Sequence, residues 1–181
     1  MMSLTKWLGA TMAIVLWVGN AVATDTVAVG KVKSINADNK TFILTDAADK
    51  EHTFKFADAL VVNRAGKESK SDLKSGDAIN VCYDKGVFTW TAHYILVQEG
   101  KSKNSELVRG NVKGYDAGKK ELIFTNEVKT DATYSMGAAT VRFNMENAKI
   151  EGIKIGDHAL LIVDTVEGAP TLRSVMVDRA K

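Results

Sequence analysis

The stretch "VFTWTAHY", residues 87–94, holds the side chains best suited to gripping a ligand. Alternate residues of an extended strand share a face, so Phe88, Trp90 and Tyr94 would line up, with Ala92 leaving a gap. A row of rings on a barrel strand can stack on bases or sugar rings. His93, on the same strand, completes a candidate ligand-binding set of Phe88, Trp90, His93 and Tyr94. The rings suit a second role as well, packing against a neighbouring part of the same chain.

Other chemistries are poorly provided for. His52, His93 and His158 are scattered and show none of the spacings that build a zinc site. No G-x-S-x-G is present for a serine nucleophile, and no glycine loop for a phosphate. Cys82 is the only cysteine, which excludes an intrachain disulfide. With no base near it in sequence, it reads as a small buried hydrophobe. The carboxylates collect in "NADNK" and "DAADKE", where they form turns. The residues point to a non-enzyme with no cofactor and no metal. A soft-ion site on Met136, Met145, Cys82 or a histidine is the alternative they leave open.

The elements that must position these residues come in two copies. "LKSGD" at 73–77 returns as "IKIGD" at 153–157, and residues 27–97 slide onto 107–177 by eighty positions without a gap. Gly30 falls on Gly110, Val32 on Val112, Ile43 on Ile123, Thr53 on Thr133, Val61 on Val141, and Asp77 on Asp157. Apolar positions meet apolar positions throughout, which is the mark of a tandem duplication.

Each copy reads as strands. "TFILT" and "ELIFT" are β-branched and aromatic runs between turn-forming segments. Their alternation points Phe42 and Leu44, like Leu122 and Phe124, into a core. Phe54 and Phe56 follow the same logic, with Tyr134 and Met136 as counterparts. Gly30 and Gly110, inside a first strand, predict a bend or bulge there. Leu73 and Ile153 are each expected to bury one aliphatic chain before Gly-Asp reverses the backbone into the next strand. The predicted fold class is all-β: two tandem OB-like small β-barrels of five or six strands each, behind a signal peptide.

This cycle of strand, hairpin, strand, "LKxGD" turn and two closing strands resembles the small OB-like domains of exported bacterial envelope proteins. It is more distantly similar to periplasmic copper chaperones of the CusF type. That resemblance implies Cu(I) held by a histidine on the second strand, two methionines spaced Met-x-Met on the third, and a capping tryptophan. Here "TFILT" and "ELIFT" lack the histidine, and "HTFKF" and "TYSMG" lack Met-x-Met, so the family's metal ligands are absent.

The chain's start fits export. Lys6 precedes an apolar run, Leu8 to Val18, too short to span a bilayer, and Ala21-Val22-Ala23 supplies a cleavage pattern. The expected organisation is a signal peptide over 1–23, a barrel over 24–97, a linker over 98–106 and a barrel over 107–181. Lys6 is the one charge removed, which leaves basic and acidic residues nearly equal; nucleic acid is therefore not an expected partner. No transmembrane segment follows the cut. The expected location is periplasmic or secreted, and the expected role is binding or scaffolding, with a ligand or an envelope protein as partner. A saccharide or other ring-bearing ligand would suit the aromatic strand.

One asymmetry between the copies predicts how they meet. "HALLIVD" is apolar on both faces, because Leu160 and Ile162 accompany Ala159, Leu161 and Val163. Copy one carries Asn80 and Cys82 in place of Leu160 and Ile162. A strand apolar on both sides needs cover on both sides. The outer pair is expected to pack against copy one, with Trp90 and its neighbours as the candidate counterpart.

Overall fold

Alternating apolar and polar residues run through most of the chain, and strands follow them. The computed structural model describes residues 25–179, so the leader expected over 1–23 lies outside the described residues. The strands are β1 (Asp25–Asn36), β2 (Thr41–Thr45), β3 (Glu51–Arg64), β4 (Lys67–Ser69), β5 (Ala78–Lys85) and β6 (Trp90–Val97). There follow β7 (Glu106–Asp116), β8 (Glu121–Asn126), β9 (Asp131–Ser135), β10 (Thr140–Phe143), β11 (Glu146–Ala148), β12 (His158–Val166) and β13 (Ala169–Val177). The fold is all-β. Among the described residues, no helix is long and apolar enough to cross a membrane.

Two sheets form. The first has the order β2-β1-β5-β6-β3-β4, and pairing of β2 with β3 closes five of its strands into a barrel. The second has seven strands in the order β11-β10-β13-β12-β7-β8-β9, one more than the sequence suggested, because strand three is broken at Gly137. A single residue pair, Thr171 with Ser135, joins β9 to β13. Phe42, Leu44, Phe54, Val81 and Ile95 fill the first core; Leu122, Phe124, Leu161 and Val175 fill the second.

The repeated pentapeptide has a structural reason. Gly76 and Gly156 stand at φ +92° and +89°, where a side chain is strained. Their N–H groups donate to Val32 O and Val112 O, at 2.8 Å in both copies. The following aspartates accept from the backbone N–H of Lys74 and Lys154 at 2.7 Å each. Glycine makes the turn and aspartate holds it.

Two readings are corrected. The bulge in each first strand lies after Val32 and Val112, two residues beyond the glycines. Gly30 and Gly110 instead permit a close crossing: a Cβ there would stand 2.3 Å and 2.0 Å from the carbonyl oxygens of Thr45 and Thr125. The eighty-residue register also slips by one in strand three. Val62 pairs with Ile95, whereas Val141 pairs with Val175, so Val62, not Val61, is the counterpart of Val141. The turn Ala65-Gly66 accordingly matches Asn144-Met145, and the eighty-residue spacing returns by Gly156.

Candidate ligand cleft between the two sheets

The aromatic row does not form, and a single residue is the cause. Opposite Cys82 and Tyr83 of β5, strand β6 spends Ala92, His93 and Tyr94, so His93 is the extra residue of a bulge. A bulge shifts the side-chain alternation by one. Trp90 and Ala92 face the first barrel's core, as do Ile95 and Val97 beyond the bulge. Tyr94 and Leu96 face outward into the seam between the sheets. Phe88 precedes the strand, in the β5–β6 turn, and is 98% exposed.

Trp90 belongs to an aromatic stack at one end of the first barrel. Its ring lies 4.9 Å from His52 and 5.1 Å from Tyr83, with Phe54 edge-on at 5.5 Å. His52 Nε2 donates to Asp46 at 2.8 Å, and that bond holds the Asp46 carboxyl below its ordinary range. Trp90 is thus occupied by packing within its own barrel.

The seam carries its own apolar cluster: Cys82, Tyr94 and Leu96 from the first sheet meet Leu107, Leu160, Ile162 and Met176 from the second. The outer face of β12 is therefore covered by copy one, as its sequence required, but by Tyr94 and Leu96 rather than by Trp90. Polar links fix the contact. Tyr94 Oη accepts from Asn63 Nδ2 at 2.9 Å and donates to Glu68 at 3.2 Å. Glu68 is gripped across the seam by Arg142 Nη1 at 2.7 and 2.8 Å. Burial pushes the Tyr94 hydroxyl well above its ordinary pKa, so it stays protonated. Met136 lies in the second core.

A cleft of about 300 Å³ opens on this seam, at the lower end of the range for small-molecule sites. Val61, Leu160, Met145 and Met176 give it an apolar lining, with Cys82 and Tyr94 beside them. A histidine–aspartate contact and an ion pair border it. His93 Nε2 lies 2.6 Å from Asp84 Oδ2, and both terminal nitrogens of Arg109 reach Asp178 Oδ2 at 3.0 Å. Of the sequence-predicted set, the structure brings His93 and Tyr94 together here and leaves Phe88 and Trp90 elsewhere. Sequence reasoning missed Asp84, Arg109, Met176 and Asp178. Arg109, an arginine in the middle of "LVRGNV", was the available signal, because a buried arginine must be paired.

No family model matches this chain, and no curated protein does. Among solved structures, apo-CusF residues 6–88 from Escherichia coli is similar over 42% of this chain and 89% of that chain, with 18% identity and a TM-score of 0.34.

Proposed function

We propose that the chain is an exported, non-catalytic binding protein of the bacterial envelope, and that its ligand occupies the cleft between the sheets. The observation that carries this reading is the cleft itself: an apolar lining with a histidine–aspartate contact and an arginine–aspartate ion pair at its border, built by both copies together. We read residues 24–97 and 107–181 as two OB-like barrels joined by 98–106. Supporting that, the first ring runs β1-β2-β3-β6-β5 with β3 and β6 parallel, the strand order of an OB barrel. Periplasmic or secreted placement rests on the Lys6 to Ala23 pattern. Its test is the intact mass of the mature protein, expected to start at Thr24.

Hydrogen exchange with and without a panel of small amphipathic and ring-bearing compounds tests the binding site. A ligand should protect β5, β6, β12 and β13 along the seam. Protection confined to the Phe88 and Trp90 end would move the site there, and seam protection with no compound would leave scaffolding as the role.

A second reading has its own observation. Cys82, His93, Met145 and Met176 line the same cleft, and thiol, thioether and imidazole are the donors of a soft ion such as Cu(I). Anaerobic Cu(I) titration with a colorimetric competitor tests it: one equivalent bound, and lost in Met145→Ala, is the expected result, and no binding excludes it.

A further inference from the structure

Resting on the cleft as the binding site, we propose that its ligand is a small organic carboxylate with an apolar tail, whose carboxylate takes the place of Asp178 on Arg109. Arg109 is a built feature of the wall. Its side chain is 4% exposed on β7, and a guanidinium so deep requires an anion. One of its partners, Asp178, has a side chain 60% exposed and lies beyond the end of β13. Asp178 gives this fork one carboxylate oxygen. Arg109 Nη1 and Nη2 converge on the one oxygen Oδ2, at 3.0 Å each. A guanidinium fork binds best to two oxygens side by side, in two parallel charge-assisted bonds. A free carboxylate in the cleft can supply that arrangement.

The exchange is easy on both sides. Asp178 swings into water it already meets, while its backbone stays held by its N–H bond to His158 O. One carboxylate leaves and another enters, so the cleft's net charge does not change. Behind Arg109, Leu160, Met176 and Met145 offer apolar surface for a tail of a few carbons, and methionine adapts to tails of different shape. A phosphate would bring a second negative charge next to Asp84, and an amine would face Arg109. A monocarboxylate meets neither penalty.

The test compares octanoate, octanol and octylamine, three head groups on one tail, by NMR titration of the purified protein. Octanoate should perturb Arg109, Met145 and Met176 and bind about tenfold more tightly than octanol. Asp178→Ala should strengthen octanoate binding several-fold and leave octanol unchanged. The same variant should melt at a lower temperature, and octanoate should restore it. Asp178→Asn, which keeps an acceptor without the charge, should fall between. If octanol or octylamine enters the cleft as well as octanoate does, or Asp178→Ala weakens octanoate binding, the carboxylate class is wrong and the cleft stands. If none of the three perturbs cleft residues, the cleft itself is not the site, and this proposal falls with it.

Discussion

His93 and Arg173 stand at the same point of the two copies: each is the extra residue of the bulge in its last strand, and each reaches an aspartate on the neighbouring strand. His93 Nε2 meets Asp84 at 2.6 Å; Arg173 Nε and Nη2 meet Asp164 at 2.9 and 2.7 Å. The two have diverged in use. His93 borders the cleft, whereas Arg173 turns to the connector between the two sheets. There its terminal nitrogens donate to Ser102 Oγ, Ser105 Oγ and Lys101 O at 2.8, 2.9 and 2.5 Å.

Arg173→Ala should therefore loosen residues 100–105 while both sheets stay folded. Charge-assisted hydrogen bonds contribute roughly 1.5–3 kcal/mol each, less where water competes, so a loss of about 1–3 kcal/mol is expected. Faster hydrogen exchange and new proteolytic cuts in the connector are the readout, with His93→Ala as a control that leaves the connector unchanged. Equal protection in both variants would show that Ser102 and Ser105, which are buried, hold the connector without Arg173.

Leu160 and Ile162 are buried in the seam, and burying each is worth roughly 1.5–3 kcal/mol. Changing both to Asp should separate the two sheets and expose the connector to protease, with the β-sheet circular-dichroism signal kept. Wild-type cleavage and an unchanged melting temperature would contradict the seam.

The difference between legible and hidden features is physical. Phe42, Leu44, Leu122 and Phe124 follow a local period of two, so their inward direction was written in the sequence. The doubly apolar β12 was legible for the same reason, down to its need for cover from copy one. The bulge at His93 was not, because an extra residue leaves no mark in a local pattern, and it alone sends Trp90 and Tyr94 to opposite sides of the wall. Only comparison of the copies exposes it: His93 and Asp84 fall on Arg173 and Asp164 at the eighty-residue spacing. Arg109, Met145 and Asp178 come from distant stretches of the second sheet and meet His93 and Tyr94 only through the tertiary contact of the two sheets, which no sequence period records.

Trp90 and Phe88 separate packing from exposure. Trp90→Ala removes a ring from the stack with His52, Tyr83 and Phe54, and should cost about 2–4 kcal/mol in urea unfolding, below the full core value because Trp90 is only half-buried. Phe88→Ala should stay within about 0.5 kcal/mol of wild type. A large loss from Phe88→Ala would mean that this turn has a partner on the folded protein.

Glu127 gives a pH dependence with a definite sign. It lies at the join of the two sheets, where its Oε2 accepts from Thr26 Oγ1 at 2.6 Å. Burial raises its pKa, against the pull of Thr26, the Val27 N–H and Arg109. A raised carboxyl pKa favours the protonated folded form, so this contribution is present in acid and is lost as pH rises through the folded pKa. Glu127→Gln keeps an acceptor for Thr26 without the charge. It should raise the melting temperature at neutral pH and converge with wild type at about pH 4. A gap that widens toward acid would reverse the assignment.

Met145 is where stability and binding should pull apart. Asn144 and Met145 form the two-residue β10–β11 turn at φ +49° and +68°. The matching turn of the first barrel is Ala65-Gly66, with Gly66 at +85°. The turn geometry asks for glycine, because an L side chain in the left-handed region costs roughly 1–2 kcal/mol. Methionine holds the position all the same, 44% exposed and lining the cleft. Met145→Gly relieves that strain but frees the unfolded chain, which takes back about 0.4–1 kcal/mol. The variant should still be more stable by about 0.5–1 kcal/mol in urea unfolding, and bind octanoate several-fold more weakly. A less stable variant with unchanged binding would make Met145 a packing residue of the turn and remove it from the site.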